Sequence, residues 1–219
     1  GSEMCIRDSR YVVSHITSKY ERSKIMGMDA VFVNMVENYY ITKMCTWVEE
    51  DQLKKIIERA EKISPNLIGK VAPEFVDVYN RPFMKDLSGK IHTIQSVKAD
   101  HTLLIFYGPG CGHCKTEIPK IKKTLDSLIN LNYDIKTFAV ATEFDVDEWK
   151  KFIKEQKTES WINVADISHD KEGNPLASSD WRDKYDIYST PVVYLLDKEK
   201  KIVAKRITHN QFADIITRK

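Results

Sequence analysis

The stretch around residue 111 places the tightest limits on how this chain can fold. Residues 102–107 form a continuous, mostly apolar run, which is typical of a strand buried on both faces. Gly108, Pro109 and Gly110 break that run. From about Cys111 to Leu131, apolar side chains then recur three and four residues apart, as in a helix with one buried face. The sequence therefore predicts a buried strand that leads through a tight turn directly into a helix.

Strand and helix patterns alternate along the chain on both sides of this unit. Predicted strands lie at residues 75–79, 91–94, 102–107, 135–141, 162–165, 192–196 and 202–206, and predicted helices at 111–131, 146–156, 181–185 and 211–216. The turn at residues 197–201 joins the last two strands into a hairpin. This order predicts an α/β fold built around one sheet.

The first part of the chain has a different pattern. Residues 1–10 lack helical or strand periodicity, and we interpret them as a tag, other non-native residues or a disordered start. Residues 11–65 predict a helical N-terminal region that Gly27 interrupts and that Pro65 ends, and residues 66–219 form the second domain. Two hypotheses remain open for the helices: they complete the core of the domain, or they serve docking or dimerisation.

Composition excludes some classes of function. The chain has 34 basic and 32 acidic residues among 219, for a net charge of +2, and no basic block interleaves with aromatics. We therefore expect no nucleic-acid partner.

No apolar run approaches the ~20 residues that span a bilayer, and no signal peptide is visible. The missing signal does not fix the compartment, because the chain can begin downstream of a removed leader.

The four cysteines are too few for a disulfide-stapled scaffold of this length, and only two of them are close together. Cys111 and Cys114 lie at the predicted start of a helix, where unpaired N–H groups and the helix dipole favour a thiolate. Cys111 is expected to attack and Cys114, one turn further on, to resolve. His113 between them can stabilise the thiolate. The sequence predicts a redox-active pair that needs no cofactor.

Two metal-binding alternatives stay open. A Cys-x-x-Cys pair can also be half of a zinc site, but such a site needs two more ligands, usually a second close pair. No second pair exists, and four of the histidines, at positions 92, 101, 169 and 209, are scattered singly. A carrier of a soft metal such as copper or zinc would use Cys111, Cys114 and a distant histidine. The strand–turn–helix context favours redox chemistry, and we predict no metal site.

The residues around the cysteine pair resemble those of the TlpA/ResA-like thiol–disulfide oxidoreductases, an AhpC/TSA-related group of the thioredoxin superfamily. The similar segments are Phe106 to Pro119 around the cysteines, Gly69 to Phe75 upstream, and Ser189 to Val192 downstream. The resemblance extends from about Leu67 to the C-terminus. It implies a thioredoxin-like fold, with a central mixed sheet flanked by helices and preceded here by an α-helical N-terminal region.

The resemblance also implies roles for individual residues. Pro191 would follow a cis peptide bond beside the sulfurs, and the backbone of Thr190 would pair with an extended substrate segment. Gly110 and Gly112 stand at the other substrate-binding positions. Glu117 matches a family glutamate that handles protons near the cysteines.

The active-site helix contains a proline, and two other positions depart from the family pattern. Pro119 would kink the active-site helix. Many relatives have tryptophan where this chain has Gly110, which leaves the substrate specificity open. Thioredoxin's buried acid is replaced by Ile105, so proton transfer to Cys114 would need Glu117 or water. Residues 167–183 are expected to form a family-specific insertion.

Two features of the sequence favour opposite directions of electron flow. Gly-His between the cysteines matches protein disulfide isomerase, whose potential is about −180 mV, and favours an isomerase or oxidase. The resemblance favours reduction of envelope proteins with disulfides, with a membrane-bound thiol reductase as electron donor. It also implies a periplasmic or cell-envelope location, exported and in some cases lipid-anchored.

A peroxidase of the peroxiredoxin type would need threonine three residues before its cysteine, where this chain has Gly108.

Overall fold

The computed structural model describes residues 2–23, 25–143, 145–167 and 180–218. The chain divides into two compact units, Gly1–Ile68 with Asp183–Asp186, and Gly69–Arg182 with Ile187–Lys219. This division lies between residues 68 and 69, whereas the sequence predicts a boundary between residues 65 and 66. Most of the predicted 167–183 insertion lies outside the described residues.

The first unit is helical. Its elements are α1 (Ser2–Glu21), α2 (Asp29–Met35), a π-helical turn (Val36–Tyr40), α3 (Glu50–Ile63) and a 3₁₀ turn (Ser64–Asn66). Gly27 separates α1 from α2 with a φ of 85°, a left-handed conformation that glycine adopts without a steric penalty. The buried apolar side chains form one cluster, which includes Phe32, Val36 and Ile63. The unit therefore has a small core of its own.

Helix α1 begins earlier than the sequence indicates. We expected no helix before Tyr11, but α1 already includes Ser2. Hydrophobic periodicity is the main signal of a helix in a sequence, and residues 1–10 lack that periodicity. No proline or glycine lies between Ser2 and Tyr11, so nothing in this stretch breaks the helix. The interpretation of residues 1–10 as non-native remains a prediction.

The second unit contains a five-stranded mixed sheet. Its strands are β1 (His101–Tyr107), β2 (Ile135–Ala141), β3 (Ile162–Ala165), β4 (Val192–Leu196) and β5 (Ile202–Lys205), in the order β3-β2-β1-β4-β5. Strands β1, β2 and β3 are parallel, whereas β4 pairs antiparallel with β1 and β5 antiparallel with β4. Parallel neighbours end at the same edge of the sheet, so the loops after β1 and β2 meet there.

The helices of this unit are α4 (Gly112–Asn130), α5 (Val146–Glu155) and α7 (His209–Thr217). The short helix α6 (Trp181–Lys184) begins in this unit and ends in the first one. Helices α4 and α7 contact each other, and their apolar faces share one core cluster with β1. An aromatic group of Phe75, Phe106, Phe138 and Trp181 is fully buried elsewhere in the unit, with ring centroids 5.7–6.2 Å apart. The predicted thioredoxin-like fold is confirmed, and helix α4 runs without interruption through Pro119.

Two of the predicted strands are wrong. Residues 75–79 and 91–94 form only isolated bridges, Val76 with Pro82 and Lys85 with Ile91. In each stretch a carboxylate accepts a backbone hydrogen bond: Asp77 accepts from the Tyr79 N–H in the first stretch, and Glu74 accepts from the Ile94 N–H in the second. Such side-chain bonds compete with strand pairing, and Pro82 lacks an N–H altogether.

A buried polar chain links β1, α5 and β3. The Trp149 indole N–H donates to the Tyr107 hydroxyl at 2.8 Å, and that hydroxyl donates to Asn163 Oδ1 at 3.2 Å. Asn163 in turn donates to the Thr158 carbonyl at 2.7 Å. Because buried polar groups are costly without partners, this chain helps to fix the helix α5 over the sheet.

Replacing Tyr107 with phenylalanine should destabilise the protein. The change leaves the Trp149 N–H and Asn163 Oδ1 without the buried hydroxyl, so we expect the free energy of unfolding to fall by about 1–3 kcal/mol. Urea denaturation of the reduced protein measures this loss. Tyr188→Phe is the matched control, because Tyr188 is 72% exposed and its hydroxyl is solvated. Equal losses in the two variants would contradict the role of the polar chain.

Candidate active site

Cys111 is the N-cap residue of helix α4. It follows β1 after the Gly108–Gly110 turn and has extended backbone angles, φ −75° and ψ 116°. Its sulfur accepts a hydrogen bond from the backbone N–H of Cys114 at 3.3 Å. The sulfur thus occupies the position where a cap side chain satisfies the free N–H groups of the first helical turn. A negative charge is stabilised at this position.

The two cysteines differ in burial. Cys111 is partly exposed, whereas Cys114 is fully buried within the core cluster under α4, and both are free thiols. Burial alone would raise the pKa of Cys111, but hydrogen bonds with Thr190, with Cys114 and with the backbone N–H groups of Cys114 and His113 outweigh it and lower that pKa. Burial raises the pKa of Cys114 to about 12. The outer sulfur therefore ionises at a lower pH than the inner one, which stays protonated near neutral pH.

The loop before β4 lies against the outer sulfur. The Thr190–Pro191 peptide bond is cis, and the Thr190 carbonyl accepts from the Cys111 thiol at 3.6 Å. Thr190 and Cys111 are 79 residues apart in sequence. They meet because β4 pairs with β1, which places the loop before β4 beside the turn after β1.

His113 and Glu117 lie beside the cysteines on α4. Both line a small groove of about 180 Å³ together with Pro191 and His209. The Lys120 ammonium donates to the Glu117 carboxylate at 2.7 Å, and this bond is the main reason that the pKa of Glu117 is lowered. Glu117 is therefore ionised at neutral pH and can accept a proton.

The two glycines of the predicted substrate surface are both exposed. A Cβ on Gly112 would meet no atom within 4 Å, so its face of the helix start is open. Gly110 is different: its N–H donates to the Glu143 carboxylate at 2.9 Å. The sequence interpretation missed Glu143. The parallel pairing of β1 with β2 is the signal that could have found it, because Glu143 follows β2 just as Gly110 follows β1.

Residues 2–23, 25–143, 145–167 and 180–218 contain no group of three or more histidine, cysteine or acidic side chains arranged to hold a metal ion. Within those same ranges, no helix has both the length and the apolar composition needed to cross a membrane.

Comparison with known proteins supplies the family. The AhpC/TSA family model matches residues 68–205, which include both cysteines and the cis-proline loop. The chain belongs to the AhpC/TSA family. No curated protein matches the chain.

Solved structures of similar sequence carry names of the same kind of chemistry. A domain of a possible thiol-disulfide isomerase from Cytophaga hutchinsonii is 36% identical, with a TM-score of 0.54 over 68% of this chain and 90% of that one. The thioredoxin domain of a thiol-disulfide oxidoreductase from Bacteroides vulgatus is 27% identical, with a TM-score of 0.54 over 68% and 98%. This AhpC/TSA protein is accordingly an enzyme of the thiol–disulfide oxidoreductase class.

A third structure shares the fold over nearly the whole chain. A thioredoxin-like protein from Bacteroides caccae is 20% identical, with a TM-score of 0.65 over 98% of this chain and 83% of that one. The likeness in fold therefore includes the N-terminal helices of this AhpC/TSA protein.

The two active-site sulfurs should be alkylated over different pH ranges. In the reduced protein, we expect iodoacetamide to label Cys111 as its thiolate forms, with a midpoint below the ordinary cysteine value of 9.0. Cys114 should stay unlabelled through that range, because its thiol is buried and its pKa is about 12. Peptide mapping by mass spectrometry separates the sites, and buried Cys45 serves as an internal control. Labelling of Cys114 at or below the Cys111 midpoint would contradict the assignment.

Proposed function

We propose that this enzyme reduces disulfide bonds of proteins in the bacterial envelope, with Cys111 as the attacking and Cys114 as the resolving cysteine. The observation that carries the proposal is the difference between the two sulfurs. One is partly exposed at a helix start with a lowered pKa, and the other is buried with a raised pKa. A reductase needs this arrangement, because one sulfur must be accessible and nucleophilic while its partner stays protonated until the mixed disulfide has formed.

The first step forms a mixed disulfide. The Cys111 thiolate attacks one sulfur of the substrate disulfide, a new S–S bond forms to Cys111, and the other substrate sulfur leaves as a thiolate that takes up a proton. The Thr190 carbonyl, already 3.6 Å from the Cys111 sulfur, lies where an extended substrate backbone could pair beside Pro191. The open space above Gly112 leaves room for a protein chain to approach.

The second step releases the reduced substrate. Cys114 loses its proton and attacks the Cys111 sulfur, so that a Cys111–Cys114 disulfide forms and the bond between Cys111 and the substrate breaks. The substrate sulfur leaves as a thiolate and takes up a proton. Two electrons have then moved from the enzyme to the substrate. Burial is the main cause of the raised pKa of Cys114, and the nearby Cys111 sulfur raises it further. That second contribution is lost once Cys111 is held in the mixed disulfide, so the inner sulfur becomes easier to ionise when it is needed.

Two neighbours can serve this proton transfer. Glu117 is ionised and lies one helical turn beyond Cys114, so it can accept the proton directly or through water. His113 is exposed at the helix start and can stabilise the Cys111 thiolate when it is protonated. These roles follow the resemblance described above and are part of the proposal.

The partners are also part of the proposal. The oxidised enzyme must be reduced again, and a membrane-bound thiol reductase in the cell envelope is the donor we propose. A disulfide isomerase is the second candidate, because Gly-His stands between the cysteines and because the 36% identical domain from Cytophaga hutchinsonii is named a possible isomerase.

Cysteine variants test the mechanism. The reduced wild-type enzyme should reduce a model protein disulfide such as that of insulin, and Cys111→Ser should abolish the reaction because no attacking sulfur remains. Cys114→Ser should accumulate a one-to-one mixed disulfide that dithiothreitol releases, seen by non-reducing gel electrophoresis and mass spectrometry. Cys45→Ala is the matched control and should keep full activity, since Cys45 lies in the core of the helical unit.

Two results would count against this account. Turnover by Cys111→Ser would remove the proposed attacking cysteine, and failure of Cys114→Ser to trap substrate would remove the resolving step. Reactivation of a protein with scrambled disulfides, without net consumption of enzyme dithiol, would favour the isomerase.

A further inference from the structure

The segment after β2 holds an acidic side chain against the turn that precedes Cys111. Thr142 is anchored first: its N–H donates to the Tyr107 carbonyl at 2.9 Å, and its own carbonyl accepts from Arg182 at 2.6 Å. The next residue is Glu143, whose carboxylate accepts from the Gly110 N–H at 2.9 Å. The carboxylate is thus fixed one residue before the attacking cysteine.

The two glycines of the turn leave the room that this carboxylate occupies. A Cβ on Gly108 would lie 2.5 Å from one Glu143 oxygen, and a Cβ on Gly110 would lie 3.0 Å from the other. The same Gly108 position is 3.2 Å from the Cys111 Cβ. The first oxygen and the Cys111 Cβ are therefore at most about 6 Å apart, and the Cys111 sulfur is one bond beyond that Cβ. Charges still interact appreciably at such a separation.

A negative charge at this distance acts on the chemistry of the pair. An exposed glutamate is ionised at neutral pH. Like charge disfavours the Cys111 thiolate and so opposes the helix start, which favours it. A dithiol enzyme whose reduced, ionised form is strongly stabilised is an oxidant, and destabilising that form makes the couple more reducing.

We propose that Glu143 is a positioning residue that sets the redox poise of the Cys111–Cys114 couple and biases it towards reduction. The inference rests on the proposed function, because it needs a reversible couple. According to this proposal, a residue outside the Cys-x-x-Cys motif helps to determine the direction of electron flow. The Gly-His dipeptide alone favours an oxidant, and the Glu143 charge opposes that tendency. Glu148 is also close to the turn, 3.4 Å from a Cβ on Gly110, but it makes no described bond to the turn. Other charged side chains line a pocket together with Pro109 of the turn: Lys115, Asp145, Asp147, Lys151 and Glu155.

Three variants separate the charge of Glu143 from its hydrogen bond. Glu143→Gln keeps an oxygen that can accept from Gly110 and removes the charge, whereas Glu143→Ala removes both. Glu155→Gln removes one negative charge at the far end of α5 and controls for net charge. Each protein is equilibrated with glutathione, where oxidation of the enzyme dithiol by one glutathione disulfide yields the enzyme disulfide and two reduced glutathiones. The pH midpoint for alkylation of Cys111 is the second readout.

We expect Glu143→Gln to lower the alkylation midpoint and, above that midpoint, to lower the equilibrium constant for enzyme oxidation by about 3- to 10-fold. Concentrated salt should reduce the difference between Glu143→Gln and the wild type in both readouts, since the Glu143 charge is exposed and is therefore screened. Glu155→Gln should match wild type in both readouts.

Two outcomes would overturn the inference. One is that Glu143→Gln has the same alkylation midpoint and the same equilibrium constant for oxidation as Glu155→Gln. The other is that these two quantities change only in Glu143→Ala, in which case the residue holds the turn without tuning the couple. Absence of any reversible couple in the wild-type protein would instead show that the proposed function itself has failed.

Discussion

The rest of the site depends on the placement of one sulfur at the start of helix α4. The central strand β1 ends at the edge of the sheet, and the Gly108–Gly110 turn connects it to helix α4. Cys111 is the N-cap residue of that helix. The first-turn N–H groups of a helix need an acceptor, and here the acceptor is a reactive sulfur. The stability of the helix start and the reactivity of the cysteine therefore come from the same interaction.

The sheet topology adds the other components around this sulfur. Because β4 is antiparallel to β1 and β2 is parallel to it, the loop before β4 and the loop after β2 both lie at this edge. The first brings the Thr190 carbonyl to the outer sulfur, and the second brings the Glu143 carboxylate to the turn. Burial of Cys114 under α4 then separates the pKa values of the two thiols. One mixed sheet thus brings together two sulfurs of unequal burial, the loop with the cis-proline and the carboxylate that we propose tunes the couple.

The sequence predicts most of this fold, and its failures have physical causes. Strands β2, β3 and β4 have the predicted bounds, because apolar runs between polar turns leave little choice of structure. The strands expected at residues 75–79 and 91–94 do not form, since the carboxylates of Asp77 and Glu74 accept backbone hydrogen bonds there. The cysteine pair is visible as a local motif at a helix start. Glu143 is not, because only the pairing of β1 with β2 brings it to the turn, and such pairing is a tertiary property.

The reduction potential of the wild-type Cys111–Cys114 couple tests the central claim most directly. Equilibration in glutathione and dithiothreitol buffers, followed by quantification of the enzyme disulfide, measures it. The account predicts one reversible two-electron couple with a potential closer to that of thioredoxin, about −270 mV, than to that of protein disulfide isomerase, about −180 mV. A potential at or above that of the isomerase would contradict the reductase, and the absence of a reversible couple would contradict the dithiol mechanism as a whole.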